Sequence, residues 1–322
     1  RTKAAVARLR AFKPPPFPLW DRLPVSRRAA VLLLLYADKK GDLRVVITMR
    51  AASLRSFSGH AALPGGKADA VEETPYQIAR REAWEEIGLP EDDSKIPAPF
   101  RIEHLCYLPA NLARTELVVR PCVALLHTTE PPVPVGGELS STPTVEESLI
   151  PRLDAKEVAA VFSAPFHNFL TEKDETDPPL PEGDWYQGSW TTWHDEPWRM
   201  HFFYVPVTNQ RVTKPKVRDG GLAALGEHGD EEESDAKEDE TMAPRYKVWG
   251  MTARILVDAA TVAYGKKPEF EHNTHFGDEK IIEGLERLGR LGPKKRRGST
   301  ITGADIKKAA EVIKKKEEGS KM

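Results

Sequence analysis

Cysteine, long apolar runs and excess charge of one sign are all scarce in this chain. Its 322 residues include only two cysteines, Cys106 and Cys122, and both stand inside apolar, strand-like runs. So few cysteines exclude a disulfide framework and predict two buried thiols in a reducing compartment. The longest apolar run, residues 29–36, has the length of a strand and falls short of the roughly 20 residues that cross a bilayer. The formal net charge of −2 argues against a general binder of nucleic acids or membranes.

The chain is long enough to form one large domain or two ordinary domains with a full hydrophobic core. Apolar, β-rich runs predict strands at 29–36, 43–49, 103–108, 117–126, 185–193 and 198–207. The first two flank the turn sequence DKKGD, and the last two alternate aromatic and polar residues, so each pair predicts a hairpin. Helical patterns predict helices at 76–87, 154–161 and 248–264. Strands interspersed with helices are typical of a layered α/β or α+β domain.

Composition divides the chain into parts. Residues 1–24 contain PPPFP and are predicted to be an extended lead-in with room for one short helix. Residues 209–246 include GDEEESDAKEDE, which is too charged to bury anything and is predicted to be a disordered acidic insertion. Residues 266–322 are predicted to be a polar, basic tail that includes a Lys-rich helical segment. The folded domain is therefore predicted to span 25–265, interrupted by the insertion.

Three glutamates gather on one side of the predicted helix at 76–87. Glu82, Glu85 and Glu86 stand at positions i, i+3 and i+4, so they share one face within a single turn. Like charges at this spacing repel one another, and a cation would relieve that repulsion. Oxygen ligands of this kind suit Mg²⁺ or Mn²⁺. Taken alone, the same pattern also describes a solvated acidic face.

The residues around these glutamates resemble the Nudix box, G-x5-E-x7-R-E-U-x-E-E-x-G-U, in which U is aliphatic. The second half is complete as REAWEEIGL at 81–89. Counting back seven residues from Arg81 places Glu73 in the first glutamate position, whereas counting forward from Gly66 selects Glu72. Either Glu72 or Glu73 is therefore the expected partner of Arg81.

This resemblance implies a Nudix-type α/β/α sandwich around a mixed β-sheet and a pyrophosphatase that splits substituted nucleoside diphosphates. It implies Glu82, Glu85 and Glu86 as ligands of Mg²⁺ or Mn²⁺. It further implies that Arg81 holds the helix and the preceding loop together through a carboxylate. In such a site the metal lowers the pKa of the attacking water. Glu82 or Glu86 would then accept the proton of that water.

The stretch ITMRAASLRSFSGHAALPGGKAD at 47–69 is similar to an additional signature of the coenzyme A diphosphatase branch of this family. The matching positions are Thr48, Arg50, Leu54, Arg55, Gly59, Pro64, Gly65, Gly66 and Asp69. The departures are Ala51, His60, Ala61 and Leu63. The resemblance implies Arg50, Arg55, Gly65 and Gly66 as substrate-binding residues. Arginine suits the 3′-phosphate of coenzyme A, because the guanidinium fork matches phosphate oxygens.

The expected reaction is therefore hydrolysis of the pyrophosphate of coenzyme A or acyl-CoA to 3′,5′-ADP and (acyl-)4′-phosphopantetheine. The alternatives are a Nudix pyrophosphatase acting on NADH or ADP-ribose, and a non-catalytic Nudix module that binds partners. The intact REAWEE argues against the module, because losing a metal-binding glutamate is a simple route to inactivity. The aromatic-rich residues 185–204 are expected to be core more than a wall for adenine or pantetheine.

The sequence also carries two candidate targeting signals. Ser320-Lys321-Met322 resembles the S-K-L peroxisomal signal, so we expect a peroxisomal protein with an import receptor as partner. The cluster PKKRR at 293–297 offers nuclear import as a rival, with a cytoplasmic protein as the remaining alternative. No membrane span and no nucleic-acid partner are expected.

Overall fold

The computed structural model describes residues 1–50, 60–128, 134–135, 138–139, 145, 158–175, 183–193, 196–207, 210, 212–214, 245–293 and 300–319. The candidate substrate residue Arg55, most of the predicted acidic insertion and the residues 320–322 lie outside this part of the chain.

The described residues form short and long strands joined by helices. The strands are β1 (Arg28–Ala37), β2 (Leu43–Arg50), β3 (Ala61–Ala62), β4 (Gly65–Lys67), β5 (Phe100–Tyr107), β6 (Asn111–Leu112), β7 (Val118–Thr128), β8 (Pro134–Val135), β9 (Glu138–Leu139), β10 (Val158–Pro165), β11 (Tyr186–Trp193), β12 (Glu196–Pro206) and β13 (Arg245–Trp249). The α-helices are α1 (Thr2–Ala11), α2 (Pro75–Ile87), α3 (Gly250–Tyr264), α4 (Glu279–Arg287) and α5 (Gly303–Gly319). Short 3₁₀ turns occupy Pro18–Arg22, Val25–Arg27, Asp93–Lys95 and His167–Leu170.

A mixed sheet lies at the centre of the fold. Its strands follow the order β10–β2–β1–β7–β5, and β3, β4 and β6 pair with β2, β1 and β7. The central neighbours β1 and β7 run parallel, whereas β1 and β2 form the predicted antiparallel hairpin. Because β1 is buried on both faces, it is a nearly continuous apolar run, as parallel strands with two covered faces usually are.

Helices cover both faces of this sheet. On one face Leu32 and Leu34 belong to a core cluster that includes the buried side of α2 and residues of α4 and α5. On the other face Leu33 and Leu35 share a second cluster with residues of α1, α3 and β12. This arrangement confirms the predicted α/β/α sandwich around a mixed sheet.

The second predicted hairpin is also confirmed. β11 and β12 are antiparallel neighbours, and β13 adds a third strand to the other side of β12. The buried face of this small sheet carries Phe203, Val205 and Val248, which belong to the same core cluster as α3. Trp185 is also buried there, so the expectation that part of the aromatic segment is core is confirmed for that residue.

The helix predicted at 154–161 is wrong where the structure describes it. Val158 begins strand β10, which pairs antiparallel with β2 at the edge of the large sheet. Ala160, Val161 and Phe162 are all buried there. This apolar run has no clear period, and pairing with β2 selects the extended form over the helix.

Both ends of the chain contain a helix that the sequence predicts. Residues 2–11 form helix α1, whose Ala5 and Leu9 are fully buried against the second core cluster. After residue 265 the chain contains α4, which was not predicted, and α5, which matches the predicted Lys-rich helical segment. Their apolar positions are spaced for one face of each helix, and they join the first core cluster at Ile282, Leu285, Ile306 and Ala309.

Both cysteines are free and buried, as predicted. Among the residues that the structure describes, no helix has the length and apolar character required to cross a membrane.

Candidate active site

Helix α2 has well-defined ends and one buried face. Thr74 and Gln77 form a capping box at its start, in which the Thr74 side chain accepts from the Gln77 N–H and the Gln77 side chain accepts from the Thr74 N–H. Gly88 ends the helix at φ 69°, a conformation that favours glycine. The residues facing the sheet are Ile78, Ala79, Ala83 and Ile87. The glutamates at 82, 85 and 86 are therefore turned away from the core.

Arg81 connects the helix to the loop that precedes it, and its partner is Glu73. Its Nε donates to Glu73 Oε1 at 2.9 Å, and its Nη2 donates to the carbonyl of Lys67 at 2.8 Å. The second Glu73 oxygen accepts from the N–H groups of Asp69 and Ala70 at 2.7 and 3.1 Å. Burial alone would raise the pKa of Glu73, but these hydrogen bonds and the charge of Arg81 lower it overall.

The same guanidinium lies close to three further carboxylates. Arg81 Nη1 is 3.2 Å from Glu82 Oε1, 3.4 Å from Glu85 Oε2 and 3.4 Å from Asp69 Oδ2. Burial would lower the pKa of Arg81, but the hydrogen bond and charge of Glu73, followed by the charges of Glu82 and Asp69, raise it. One guanidinium therefore lies within 3.4 Å of four carboxylates, so this group of side chains carries a net negative charge. We call Arg81, Asp69, Glu73, Glu82 and Glu85 the Arg81 cluster.

Two glycines bring the backbone of β4 against the glutamates of α2. The N–H of Gly65 donates to Glu86 Oε2 at 3.1 Å. Gly65 has φ 153°, and a Cβ there would collide with the backbone of Ala30 and Val31 on β1. A Cβ on Gly66 would collide with the carboxylate of Glu82. Glycine is required at Gly65, where backbone meets backbone, whereas a side chain at Gly66 would displace the Glu82 carboxylate.

Among the glutamates of this helical turn, Glu82 lies closest to the backbone of Gly66 and beside Arg81. It is half-buried, and burial raises its pKa; Arg81 opposes this rise, and the neighbouring Glu85 carboxylate adds to it. A carboxylate in this position favours either a proton or an additional cation. The oxygen-only donor set therefore fits a divalent cation such as those that bind several carboxylates together.

The side chains as they stand are not yet arranged around a common point. In the described ranges, no group of three or more His, Cys, Asp or Glu side chains is positioned to hold a metal ion. Arg81 contacts both Glu82 and Glu85, while Glu86 is turned towards Gly65. Binding a cation at these glutamates thus requires changes of side-chain conformation on one helical turn.

The structure places the predicted substrate residue Arg50 at the end of β2. Its backbone N–H donates to the carbonyl of His60 at 3.0 Å, just before β3. From His60 the chain continues through β3 and Pro64 to the two glycines. Arg50 therefore lies at the start of the segment that leads to the Arg81 cluster.

Asp69 is a member of the Arg81 cluster for which no role was predicted from the sequence. Asp69 contacts Arg81 with its side chain and Glu73 with its N–H. It occupies the last matching position of the signature before the box, and that position is the signal from which a role could have been predicted.

Comparison with known proteins agrees with this geometry. A family model described as NUDIX domain matches residues 26–177. Peroxisomal coenzyme A diphosphatase 1 of Saccharomyces cerevisiae is 32% identical over 282 residues, which cover 83% of this chain and 77% of the relative. This chain belongs to the Nudix hydrolase family.

Two further Nudix relatives cover less of their own length. Nudix hydrolase 22, chloroplastic, of Arabidopsis thaliana is 29% identical over 83% of this chain and 66% of the relative. Peroxisomal coenzyme A diphosphatase ndx-8 of Caenorhabditis elegans is 32% identical over 45% of this chain and 51% of the relative. Nudix hydrolases generally depend on divalent metal ions, which agrees with the excess of carboxylates around Arg81.

Proposed function

We propose that this Nudix hydrolase cleaves the pyrophosphate of coenzyme A or acyl-CoA, giving 3′,5′-ADP and (acyl-)4′-phosphopantetheine, with Mg²⁺ or Mn²⁺ as cofactor. The Arg81 cluster is the observation that carries the catalytic part of the proposal. Two relatives bear the name coenzyme A diphosphatase, and the signature residues at 47–69 support the same substrate.

Glu82, Glu85 and Glu86 are the proposed metal ligands. These carboxylates would hold a divalent cation, which would supply neutralisation of the pyrophosphate oxygens and activation of water. Arg81 acts as a positioning residue, because its bonds to Glu73 and to the Lys67 carbonyl fix the loop against the helix.

Glu82 or Glu86 accepts the proton of the attacking water. Glu82 is half-buried, and burial raises its pKa. One oxygen of Glu82 accepts from Arg81 Nη1, and one oxygen of Glu86 accepts from the Gly65 N–H, so a hydrogen bond positions each of the two candidate bases.

Gly65, Gly66, Arg50 and Arg55 are the proposed substrate-binding residues. The two glycines let the backbone of β4 approach β1 and the carboxylates of α2. Arg50 is half-buried, and its buried guanidinium Nε has no hydrogen-bond partner within the described residues; the guanidinium fork suits phosphate oxygens.

The test is turnover by the purified chain with Mg²⁺ or Mn²⁺. Coenzyme A, acyl-CoA, NADH and ADP-ribose are supplied separately, and the products are separated by chromatography. We expect 3′,5′-ADP from coenzyme A or acyl-CoA. Hydrolysis of NADH or ADP-ribose without hydrolysis of coenzyme A would assign another nucleotide substrate.

Glu85→Gln and Glu72→Gln are the matched variants for this assay. Glu72 stands beside the box, and Arg81 pairs with Glu73 instead. We expect Glu85→Gln to abolish turnover and Glu72→Gln to retain it. No turnover in the parent protein, with Glu85→Gln indistinguishable from it, would favour a non-catalytic binding module.

We also propose that the protein works in the peroxisome and reaches it through an import receptor. The support is the printed name of two relatives as peroxisomal and the sequence Ser320-Lys321-Met322. Microscopy of a fluorescent protein fused to the N-terminus tests this. We expect punctate peroxisomal signal that is lost when 320–322 are deleted; a nuclear or cytoplasmic signal in the full chain would contradict it.

A further inference from the structure

The small sheet β11–β12–β13 begins after residue 177, where the match to the family model ends. Side chains alternate along a strand, so β12 has an inner and an outer face. Phe203 and Val205 are buried on the inner face, and the intervening Phe202 and Tyr204 are half-buried on the outer face. The fold thus adds an aromatic surface that the shared family region does not include.

Strand β13 completes this surface. The register pairs Phe202 with Trp249 and Tyr204 with Lys247, so all four side chains stand on the same outer face. The rings of Phe202 and Trp249 are nearly parallel, with planes 19° apart and centroids 6.1 Å apart. We call Phe202, Tyr204, Lys247 and Trp249 the aromatic face.

A cation lies on this apolar surface. Lys247 Nζ is 4.5 Å from the ring centroid of Phe202 and 5.8 Å from those of Tyr204 and Trp249. Such contacts hold the ammonium group in place while the exposed side chain remains accessible. The face therefore combines flat aromatic area with a fixed positive charge.

The aromatic face borders the segment that leads to the Arg81 cluster. The ring of His60 is 4.8 Å from that of Trp249, and the His60 carbonyl accepts from the Arg50 N–H. Burial lowers the pKa of His60, and the positive charges of Arg50 and Lys247 lower it further. Arg50 and Lys247 therefore both lie close enough to His60, at the edge of the aromatic face, for their charges to act on it.

The distance to the catalytic residues is also limited by the chain. His60 and Gly66 are six residues apart, which is at most about 20 Å for a fully extended segment. β3 pairs with β2 and β4 pairs with β1, so this segment runs between two inner strands of the large sheet. Strand β13 of the aromatic face contacts β3, so a ligand on that face lies near the segment that leads to Gly65 and Gly66.

We propose that the aromatic face, together with Arg50, binds the phosphorylated adenosine end of the substrate. The purine ring lies against Phe202 and Trp249, because aromatic side chains stack on the flat face of any base. The 3′-phosphate accepts from Lys247 and Arg50. An acyl or pantetheine chain carries no charge at this position and would not need two cations. This assignment rests on the proposed coenzyme A substrate.

Binding of product-like nucleotides tests the subsite without catalysis. Titration calorimetry of the full chain, without metal, compares adenosine 3′,5′-bisphosphate with 5′-AMP. We expect Lys247→Met to weaken binding of the bisphosphate at least about tenfold and to affect 5′-AMP much less. Phe202→Leu should weaken both nucleotides, because it removes the aromatic surface but keeps an apolar side chain.

Lys308→Met is the matched control, since Lys308 is exposed on α5 and far along the chain from the face. It should bind both nucleotides as the parent does. Equal affinity of Lys247→Met and the parent for the bisphosphate would overturn the proposal.

Kinetics separate this inference from the proposed function. For the parent we expect a lower KM for coenzyme A than for 3′-dephospho-CoA, and Lys247→Met should remove that preference by raising the KM for coenzyme A. If coenzyme A is hydrolysed and the variant keeps the preference, the subsite is wrong and the function stands. If coenzyme A is not hydrolysed but the bisphosphate loses affinity in Lys247→Met, the function is wrong and the subsite stands.

Discussion

Two arginines at opposite faces of the central sheet organise very different sets of acids. Arg81 is shared by Glu73, Glu82, Glu85 and Asp69, and the exposed fraction of these carboxylates rises to 73% at Asp69. Arg254 on α3 is 2% exposed and lies 3.0–3.1 Å from both oxygens of Asp278, which is fully buried. Asp258, 3.9 Å from Arg254, pairs with His272.

This difference distinguishes a candidate active site from a structural ion pair. In the buried Arg254–Asp278 pair one positive charge meets one negative charge, and Asp278 also accepts from the Leu112 N–H, so both oxygens of this carboxylate have partners within the fold. Around Arg81 the acids outnumber the base, and the surplus remains at the surface beside two glycines. A buried ion pair with equal and opposite charges connects elements of the fold. An accessible excess of negative charge, as around Arg81, instead favours binding of a cation.

The largest expected effect is on kcat/KM, and it comes from neutralising one of the carboxylates around Arg81. Glu85→Gln should lower kcat/KM for coenzyme A by about 1,000-fold, because a metal contact of this kind contributes several kcal/mol to the transition state. The free energy of unfolding should stay the same or rise slightly, since a like-charge repulsion is lost. Turnover within tenfold of the parent would contradict the role of this residue.

The next largest effect should come from the buried Arg254–Asp278 pair, and it is an effect on the free energy of unfolding. Asp278→Asn should lower the free energy of unfolding by about 3 kcal/mol at pH 7, because it leaves Arg254 as a buried charge without its counterion. Burial would raise the pKa of Asp278, but Arg254 and the hydrogen bonds hold it below its ordinary value. The stabilisation is therefore present above the ordinary pKa of aspartate and is lost as the pH falls through the lowered pKa.

Urea denaturation at pH 7 and in acid measures this effect. The gap between parent and variant should narrow in acid, where the parent carboxyl is protonated as well. Asp21→Asn, at an exposed position, is the control and should follow the parent throughout. A gap that is unchanged in acid would mean that the charge of Asp278 is not what stabilises the fold.

A smaller effect distinguishes two adjacent glutamates. Glu73→Gln should reduce kcat/KM by about tenfold, because a neutral amide replaces the charged partner of Arg81 and loosens the loop. Glu72→Gln should leave kcat/KM unchanged. The same loss in both variants would show that local charge matters and the specific pairing does not. Steady-state kinetics of both variants provide the measurement.

The smallest expected effect concerns His201, which lies close to His272 and Asp258. His201 Nε2 is 2.8 Å from His272 Nδ1, and Asp258 accepts from the other side of His272 at 2.8 Å. Burial lowers the pKa of His201 to about 3, with the charges of His272, Arg199 and Arg254 acting in the same direction. The unfolded chain therefore binds a proton at His201 that the folded chain does not, at pH values between about 3 and 6.5.

Stability should consequently fall as the pH is lowered below 6.5. The contribution of His201 amounts to about 1 kcal/mol between pH 7 and pH 5.5. Denaturant titrations at these two pH values measure the loss, which should be smaller in His201→Gln. An identical loss in the variant would assign the pH dependence to other groups.

The elements near the Arg81 cluster are those that the sequence predicts best. Thr74 and Gly88 are strong local signals for the two ends of α2, and they act within a few residues. The pairing of Arg81 with Glu73 could not be predicted, because Glu72 and Glu73 fit different halves of the same pattern. The fold of the loop, in which Asp69 and Ala70 also donate to Glu73, decides between them.

Elements that depend on distant partners are predicted less well. β10 is a strand because β2 offers its free edge, and nothing in residues 158–165 themselves requires that form. In α5 the many lysines conceal an apolar stripe that includes Ile306, Ala309 and Ile313. Helix α4 supplies the surface against which α5 packs.

The contribution of the C-terminal helices to the core limits how far this protein can be shortened. A fragment ending at residue 265 would lose Ile282, Leu285 and Ile306, and the apolar groups that they cover would face water. It would also lose Asp278, so that Arg254 would remain in the interior without its counterion. Such a fragment keeps every residue of the Nudix box, yet its uncovered surface would favour self-association and precipitation. Proteolysis between α3 and α4 would therefore inactivate the enzyme through insolubility, without touching a residue of the Arg81 cluster.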